Sequence, residues 1–510
     1  MSSYYITTPI YYVNAEPHLG HAYTTIAADV ATRHARQRGM DAFFLTGTDE
    51  HGAKIARAAA EAGVEPRDWV APIADRFRGL TRSVGAQYDF FIRTTDPQHE
   101  AFVQRFVTRL RETGDLYEGT YAGFYCTACE AFYRESDLKN GLCPEHGIEV
   151  PWVEESNTFF RLSAYADRLL AHYDANPDFV MPRARYNEAR SFITGGLEDT
   201  SLSRRSTDWG VPLPWAPEQV IYVWIDALLN YASALTYARE GEDLTARLWP
   251  AAWQLLGKDI LRFHAVLWPA MLMAAGLEPP RRLFIHGMIL GHDGNRMSKT
   301  RGNTLDPFPV IERYGADALR YYLLREVGFG QDGPVGYGTL QARYESDLAN
   351  DLGNLVSRTV AMVTRYRDGV IPAVASAPRI AAVMESAASG YAERMDDLDF
   401  TGAIERAWEL VRELNRFVEE RAPWKLARSA EAAEVAALDE TLATLVDGVR
   451  VLGVILSALL PERARLILAA TGESPDAPAY SLAAPGLGTP GARVDGSAGP
   501  LFPRVETLAA

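Results

Sequence analysis

Cysteine is nearly absent, with three residues in a chain of 510. Three thiols cannot build a disulfide framework, so they are either inert or metal ligands in a reducing compartment. Positive charge is also in deficit, with 51 Lys and Arg against 66 Asp and Glu and a formal net charge of −15. That balance excludes a nonspecific cationic coat for nucleic acid but leaves a local basic groove open. Long apolar runs are missing too. The longest, at residues 265–277 and 451–460, fall short of the roughly 20 residues that a bilayer-spanning helix needs. The opening residues Ser2, Ser3, Tyr4, Tyr5 and Ile6 contain no basic n-region of a secretory signal. A cytoplasmic protein without membrane association is expected. What is plentiful is core material: 47% of residues are hydrophobic, which excludes disorder, and the length suggests about three domains.

Changes in pattern divide the chain. Residues 1–115 open with a strand-like stretch at 4–12, pass into an apolar-periodic helix at 18–38, and return to a strand at 42–46. Such strand–helix–strand order implies a parallel sheet. Residues 116–221 are irregular, hold all three cysteines, and read as an insertion. Strand and helix patterns resume at Tyr222-Val223-Trp224-Ile225 and run to 287, so the sheet is split in sequence. A connecting stretch at 288–345 precedes residues 346–510, where helical spacing dominates until a Gly-, Pro- and Ala-rich tail begins after about 472. No internal repeat is present.

Three short segments carry phosphate chemistry. His18-Leu19-Gly20-His21 follows a strand and a turn and opens a helix, whose free N–H groups and dipole attract anions. Taken singly, these four residues are equally those of an ordinary helix start. Arg296-Met297-Ser298-Lys299-Thr300 lies in a polar loop bracketed by Gly294 and Gly302, which alone reads as a solvated basic loop. In Gly257-Lys258-Asp259, a carboxylate at a strand end can accept ribose hydroxyls and a glycine lets adenine lie on backbone, although a capping aspartate looks the same. A fourth segment concerns metal. Cys126-Thr127-Ala128-Cys129 and Cys143-Pro144-Glu145-His146 are two ligand pairs, each with two residues between, the spacing of a structural zinc knuckle; buried unpaired thiols are the other reading.

HLGH followed by RMSKT resembles the paired signatures HIGH and KMSKS of class I aminoacyl-tRNA synthetases. Leu19, Arg296 and Thr300 are departures, and Arg296 exchanges a point charge for a planar donor. With Thr8-Pro9-Ile10-Tyr11-Tyr12-Val13-Asn14, Thr46-Gly47-Thr48-Asp49-Glu50-His51-Gly52 and Tyr222-Val223-Trp224-Ile225-Asp226-Ala227, the chain is similar over nearly its whole length to the methionyl-tRNA synthetase family. The resemblance implies a Rossmann-like α/β catalytic domain with a zinc-bearing insertion and an all-α anticodon-binding domain. It also implies adenylation of L-methionine by ATP with Mg²⁺, then transfer to elongator and initiator tRNA(Met). Catalysis would fall to His18, His21 and Lys299, and ATP would contact Gly257, Asp259 and Lys299. Asp49 would take the α-ammonium group of methionine, with Ile10, Tyr12, Trp224, Ala227, Leu228, Tyr231, Ile260 and His264 around the thioether, and Tyr12 or His264 bonding weakly to sulfur. For Trp224 and Tyr231 simple core packing is the other reading, and Leu228 stands where some members carry proline.

The resemblance further assigns Asn354, Arg358 and Trp424 to the anticodon, since an amide and a guanidinium read splayed bases and an aromatic stacks on one. One zinc, held by Cys126, Cys129, Cys143 and His146, would steady the insertion beside the acceptor end of tRNA. The insertion is too short for a separate editing domain, so homocysteine, one methyl smaller, is an expected competitor. A monomer is expected. A small-molecule nucleotidylyltransferase shares the HxGH element but needs no helical third; a catalytically dead tRNA-binding protein would lack one of His18, His21, Lys299 or Asp49. A leucine, isoleucine or valine enzyme would carry a much longer insertion.

Overall fold

The computed structural model describes residues 2–14, 16–126, 131–133, 135–144, 147–205, 207–298, 301–476, 478–489, 491–497 and 499–505. Strands β1 (Ser3–Thr7), β2 (Tyr11–Tyr12), β3 (Asp41–Asp49) and β4 (Phe90–Arg93) open the chain, with helix α1 (Leu19–Gln37) connecting β2 to β3. All pairings among these strands are parallel, as strand–helix–strand connections require. Most of β3 is buried, which fits its apolar run Ala42-Phe43-Phe44-Leu45.

The insertion builds an antiparallel sheet of its own. β5 (Leu116–Cys126) pairs with β6 (Ala131–Tyr133) and with β7 (Trp152–Phe160). After β8 (Val180–Met181), a short strand β9 (Thr200–Ser201) completes the order β6-β5-β7-β9. β10 (Ser203–Arg204), β11 (Pro212–Leu213) and β12 (Ala216–Ile221) form a second small sheet before the chain returns to β13 (Ala252–Gly257) and β14 (Arg282–His286). The central sheet then runs β2-β3-β1-β13-β14-β8, with β4 on the other side of β3. β1 lies between β3 and β13, so the winding reverses beside it; the carboxyl ends of these strands are the crevice position in which open α/β sheets bind ligands.

One expectation needs correction and one open reading is decided. β8 falls within the stretch read as insertion, yet pairs in parallel with β14; two residues are too few for any periodicity to show. The run Tyr222-Val223-Trp224-Ile225, where strand and helix patterns resume, opens a helix, Val223–Ser233. A short, wholly apolar run has no period with which to tell a buried helix from a buried strand.

The carboxyl-terminal third is helical: Asn354–Arg367, Pro378–Asp396, Phe400–Arg421, Ala432–Leu456 and Pro461–Ala470. One buried cluster runs from Tyr23, Ile26 and Val30 of α1 through Tyr321 and Trp408 to Leu452 and Phe502. At the joint lies Arg320, wholly buried, bonded to Asp29 of α1 at 2.7 Å and to the carbonyls of Val84, Ala458 and Leu459. A buried guanidinium with four acceptors ties α1 to the end of the helix Ala432–Leu456. The Gly- and Pro-rich tail is held down as well. Ile371 N–H donates to the Ala492 carbonyl, the Tyr344 hydroxyl to the Pro503 carbonyl, and Leu501 and Phe502 are buried. Its composition favours extended backbone, but its few large apolar side chains anchor it to the core. None of the described helices is long and apolar enough to cross a membrane.

Candidate active site

His18 caps α1. Its backbone is extended (φ −135°, ψ 177°), and its Nδ1 accepts the Gly20 N–H at 3.1 Å, while His21 Nδ1 accepts the His18 N–H at 3.1 Å. The two imidazoles thus form a reciprocal capping box. With both Nδ1 atoms accepting, each ring carries its proton on Nε2 as a donor. The rings stack with centroids 3.7 Å apart, and His21 is backed by Tyr11 and by the edge of Phe77. Desolvation, then the charge of Arg296, draws the His18 pKa down; burial, then His18, draws His21 well down. A neutral pair can stack where two cations would repel. A Cβ at Gly20 would stand 3.1 Å from His18 Cε1, so the glycine lets the cap close.

α1 is joined to the strand ends through His286. Its Nδ1–H donates to the Gly287 carbonyl at 2.9 Å, leaving Nε2 to accept from the Thr24 hydroxyl, also at 2.9 Å. His286 ends β14 and is in register with Gly257, which ends β13. A Cβ on Gly257 would stand 2.6 Å from Asp259 Oδ1, so a larger residue would push away a carboxylate that is exposed at the crevice.

Arg296 of the basic loop is near enough for its charge to bear on His18. The loop is stapled by Asn303, 3% exposed: its Oδ1 accepts the Ser298 N–H at 2.8 Å, and its amide donates to Asp293 at 2.9 Å and to the Arg296 carbonyl at 3.3 Å. Bonds from Asn303 and Asn295 hold the Asp293 carboxyl down to about 2. Lys299 and Thr300 lie outside the described residues.

Most of the residues expected to meet methionine belong to or pack against one apolar cluster. Trp224, Ala227, Leu228 and Tyr231 follow one another at helical spacing along one face of Val223–Ser233. Ile10, Tyr12, Trp224 and Ile260 are half-buried rims of the cluster that buries Leu228 and Tyr231. Trp224 stacks flat on Phe263, centroids 4.0 Å apart. Asp49 ends β3, 9% exposed, and its charge reaches Tyr231. His264 Nδ1–H donates to the Ile260 carbonyl at 3.1 Å, so Nε2 accepts the Tyr231 hydroxyl at 2.8 Å. Burial pulls its pKa down to about 4. Of the two residues expected to offer sulfur a weak bond, Tyr12 or His264, His264 gives its one proton to a carbonyl and accepts the Tyr231 hydroxyl on its other nitrogen.

A buried polar network lies behind the pocket. Asp226, wholly buried, accepts His51 Nδ1–H on one oxygen at 2.7 Å and His99 Nε2–H on the other at 2.8 Å. Burial alone would raise its pKa; the charge and hydrogen bond of His51, with those of His99, outweigh that and hold it down to about 2. Next to it, Glu50 accepts both Arg93 nitrogens and the hydroxyls of Thr48 and Thr95. Sequence reasoning missed this network: the segments of His51 and Asp226 had been singled out, but those of Arg93, Thr95 and His99 had not. His51 and Asp226 are 175 positions apart, and nothing local pairs them.

The metal and anticodon assignments fall elsewhere. Cys126 and Cys143 are buried in one small cluster with Val150, and the Cys143 carbonyl accepts the Gly147 N–H. Cys129 and His146 lie outside the described residues; among the described residues no group of three or more metal-ligating side chains is assembled. Asn354 is exposed at the start of its helix, and Arg358 one turn on bonds Glu419 at 2.7 Å. Trp424, half-buried, begins just beyond the helix that carries Glu419, so the three residues share one end of the bundle.

This parallel sheet, its histidine-capped helix and its basic loop define a class I tRNA synthetase. Residues 4–150 and 146–360 match the family described as tRNA synthetases class I (M). Methionine–tRNA ligase of Caldanaerobacter subterraneus subsp. tengcongensis is 44% identical over 508 residues, 99% of this chain and 79% of that one. The enzyme of Mycobacterium leprae is 42% identical over 99% of this chain and 96% of its own. Mycobacterium tuberculosis methionyl-tRNA synthetase in complex with methionyl-adenylate superposes with a TM-score of 0.93, at 42% identity, covering 99% of this chain and 100% of the other. The chain belongs to the methionine–tRNA ligases.

Proposed function

We infer that the protein activates L-methionine with ATP, releasing pyrophosphate, and passes methionine from the adenylate to the 3′ end of elongator and initiator tRNA(Met). Attack of the amino-acid carboxylate on the α-phosphorus builds negative charge on phosphate oxygens, so the protein's task is positioning and electrostatic stabilisation. The observation that carries the reading is the stacked His18–His21 pair, capped so that both Nε2–H groups remain donors, with Arg296 beside it and Asp259 exposed at the next strand ends. In this reading the imidazoles steady the triphosphate, Lys299 reaches its outer phosphates, and Gly257 and Asp259 receive adenine and ribose. Mg²⁺ bound to ATP offsets phosphate charge.

Asp49 takes the methionine ammonium, and Ile10, Tyr12, Trp224, Ala227, Leu228, Tyr231 and Ile260 enclose the thioether, which suits aromatic edges and aliphatic walls; His264 holds Tyr231. Cys126, Cys129, Cys143 and His146 hold one structural zinc. The buried Cys126 and Cys143 sharing one cluster support this, and zinc content of a His146→Ala protein tests the fourth ligand. Asn354, Arg358 and Trp424 read the anticodon, and the enzyme acts as a cytoplasmic monomer. Pyrophosphate exchange measured with each of the twenty amino acids decides the main reading: methionine alone should drive it at full rate, and equal rates with leucine would overturn it.

A further inference from the structure

The helix Val223–Ser233 is buried on two faces of opposite character. Trp224, Ala227, Leu228 and Tyr231 form the face toward the proposed methionine pocket. Asp226, Asn230 and Ser233, also at helical spacing, form the other, and all three are wholly inaccessible. A polar stripe is an expensive way to bury the back of a helix. Apolar residues of similar volume pack there without the desolvation cost of a carboxylate, which amounts to several kcal/mol per ion. The stripe therefore calls for a role beyond packing.

Its contacts indicate one. Asp226 divides its two oxygens between His51 and His99 at 2.7 and 2.8 Å, and Ser233, two turns further along, meets His99 Nδ1 at 2.7 Å. His51 is two residues beyond Asp49 at the end of β3, and His99 lies in the first turn of the helix Pro97–Glu112. The carboxylate thus ties the strand end that bears Asp49 to the helix that bears Trp224, Ala227, Leu228 and Tyr231. The distance between ammonium anchor and thioether wall is set by this tie.

We propose that His51, Asp226 and His99 act as a ruler, positioning residues that fix the chain length of the amino acid accepted. They touch no substrate. The proposal rests on the reading of Asp49 as the ammonium anchor. A rigid span between anchor and wall leaves a longer side chain no room to shift its backbone, whereas a slack span does. One methylene in an apolar pocket is worth about 10- to 200-fold in discrimination, and the tie determines where in that range the enzyme falls.

The test is pyrophosphate exchange by the full-length enzyme with methionine and with ethionine, one methylene longer. Asp226→Asn puts an amide where two N–H donors converge and breaks one bond. His51→Gln breaks the link to the strand end while leaving the Asp226–His99 bond, and serves if Asp226→Asn does not fold. The expected result is that the preference for methionine over ethionine, as a ratio of kcat/KM, falls about tenfold or more, with kcat for methionine held within about threefold. If kcat/KM instead falls by the same factor for both substrates, the network serves stability alone and the proposal is overturned. Asp49→Asn is the companion measurement. A raised methionine KM upholds the anchor, and an unchanged one overturns the anchor reading whatever the other variants do.

Discussion

Replacing His18 separates helix capping from catalysis. The imidazole does two things, accepting the Gly20 N–H through Nδ1 and leaving Nε2–H as a donor at the crevice. His18→Ala removes both. Loss of an N-cap acceptor costs about 1 kcal/mol of stability, and loss of one donor aimed at developing charge costs on the order of 10² to 10³ in rate. His18→Asn restores the cap, because its side-chain oxygen accepts from the same turn, but places no donor where Nε2–H had been; ring stacking on His21 is lost in both. Urea unfolding should show the alanine variant about 1 kcal/mol below the asparagine variant, while exchange at saturating methionine should be depressed in both by about the same large factor. Near-normal exchange by His18→Asn would mean that the histidine is only a cap. Equal stability of the two variants would mean that the capping box contributes nothing.

Lys299→Ala should lower the exchange rate far more than it raises the KM for methionine, and near-normal exchange refutes its assignment. Arg320→Leu leaves Asp29 with Arg33 and the Gln87 N–H but takes the donor from the carbonyls of Val84, Ala458 and Leu459, so urea unfolding should show a loss of about 1 to 3 kcal/mol; under 0.5 kcal/mol, about the scatter of a neutral surface change, refutes the joint. His264 titrates at about 4 when folded against 6.5 when free. Between those values the unfolded chain binds a proton that the native chain does not. This contribution is therefore complete above pH 6.5 and lost as pH falls toward 4, about 2 kcal/mol between pH 7 and pH 5, and the unfolding free energy of His264→Gln should lack that part of the slope. Trp424→Ala should impair tRNA charging while leaving exchange intact; equal loss in both assays marks a folding role instead.

Local order determined much of this molecule. Strand–helix–strand succession forces parallel pairing, so the central sheet and its split were legible once β1, α1 and β3 were recognised. HLGH and RMSKT are contiguous, and each carries its chemistry within a few residues, so the motifs and the family they point to were legible too. The resemblance named Trp224, Ala227, Leu228 and Tyr231 as pocket residues, and the helix Val223–Ser233 puts all four on one face.

Tertiary structure decided what depends on distant partners. His264, named with Tyr12 as a donor to sulfur, gives its proton to a backbone carbonyl one turn away; hydrogen-bond direction is a property of the folded turn. β8 joins the central sheet from within the insertion because β14 offers it an edge. Asp226 between His51 and His99, and Arg320 between Asp29 and three carbonyls, join segments 127 to 291 positions apart. A residue's own neighbours set its backbone preference, but a buried charge is stable only where the fold brings its counter-groups, and no periodicity records where that will be.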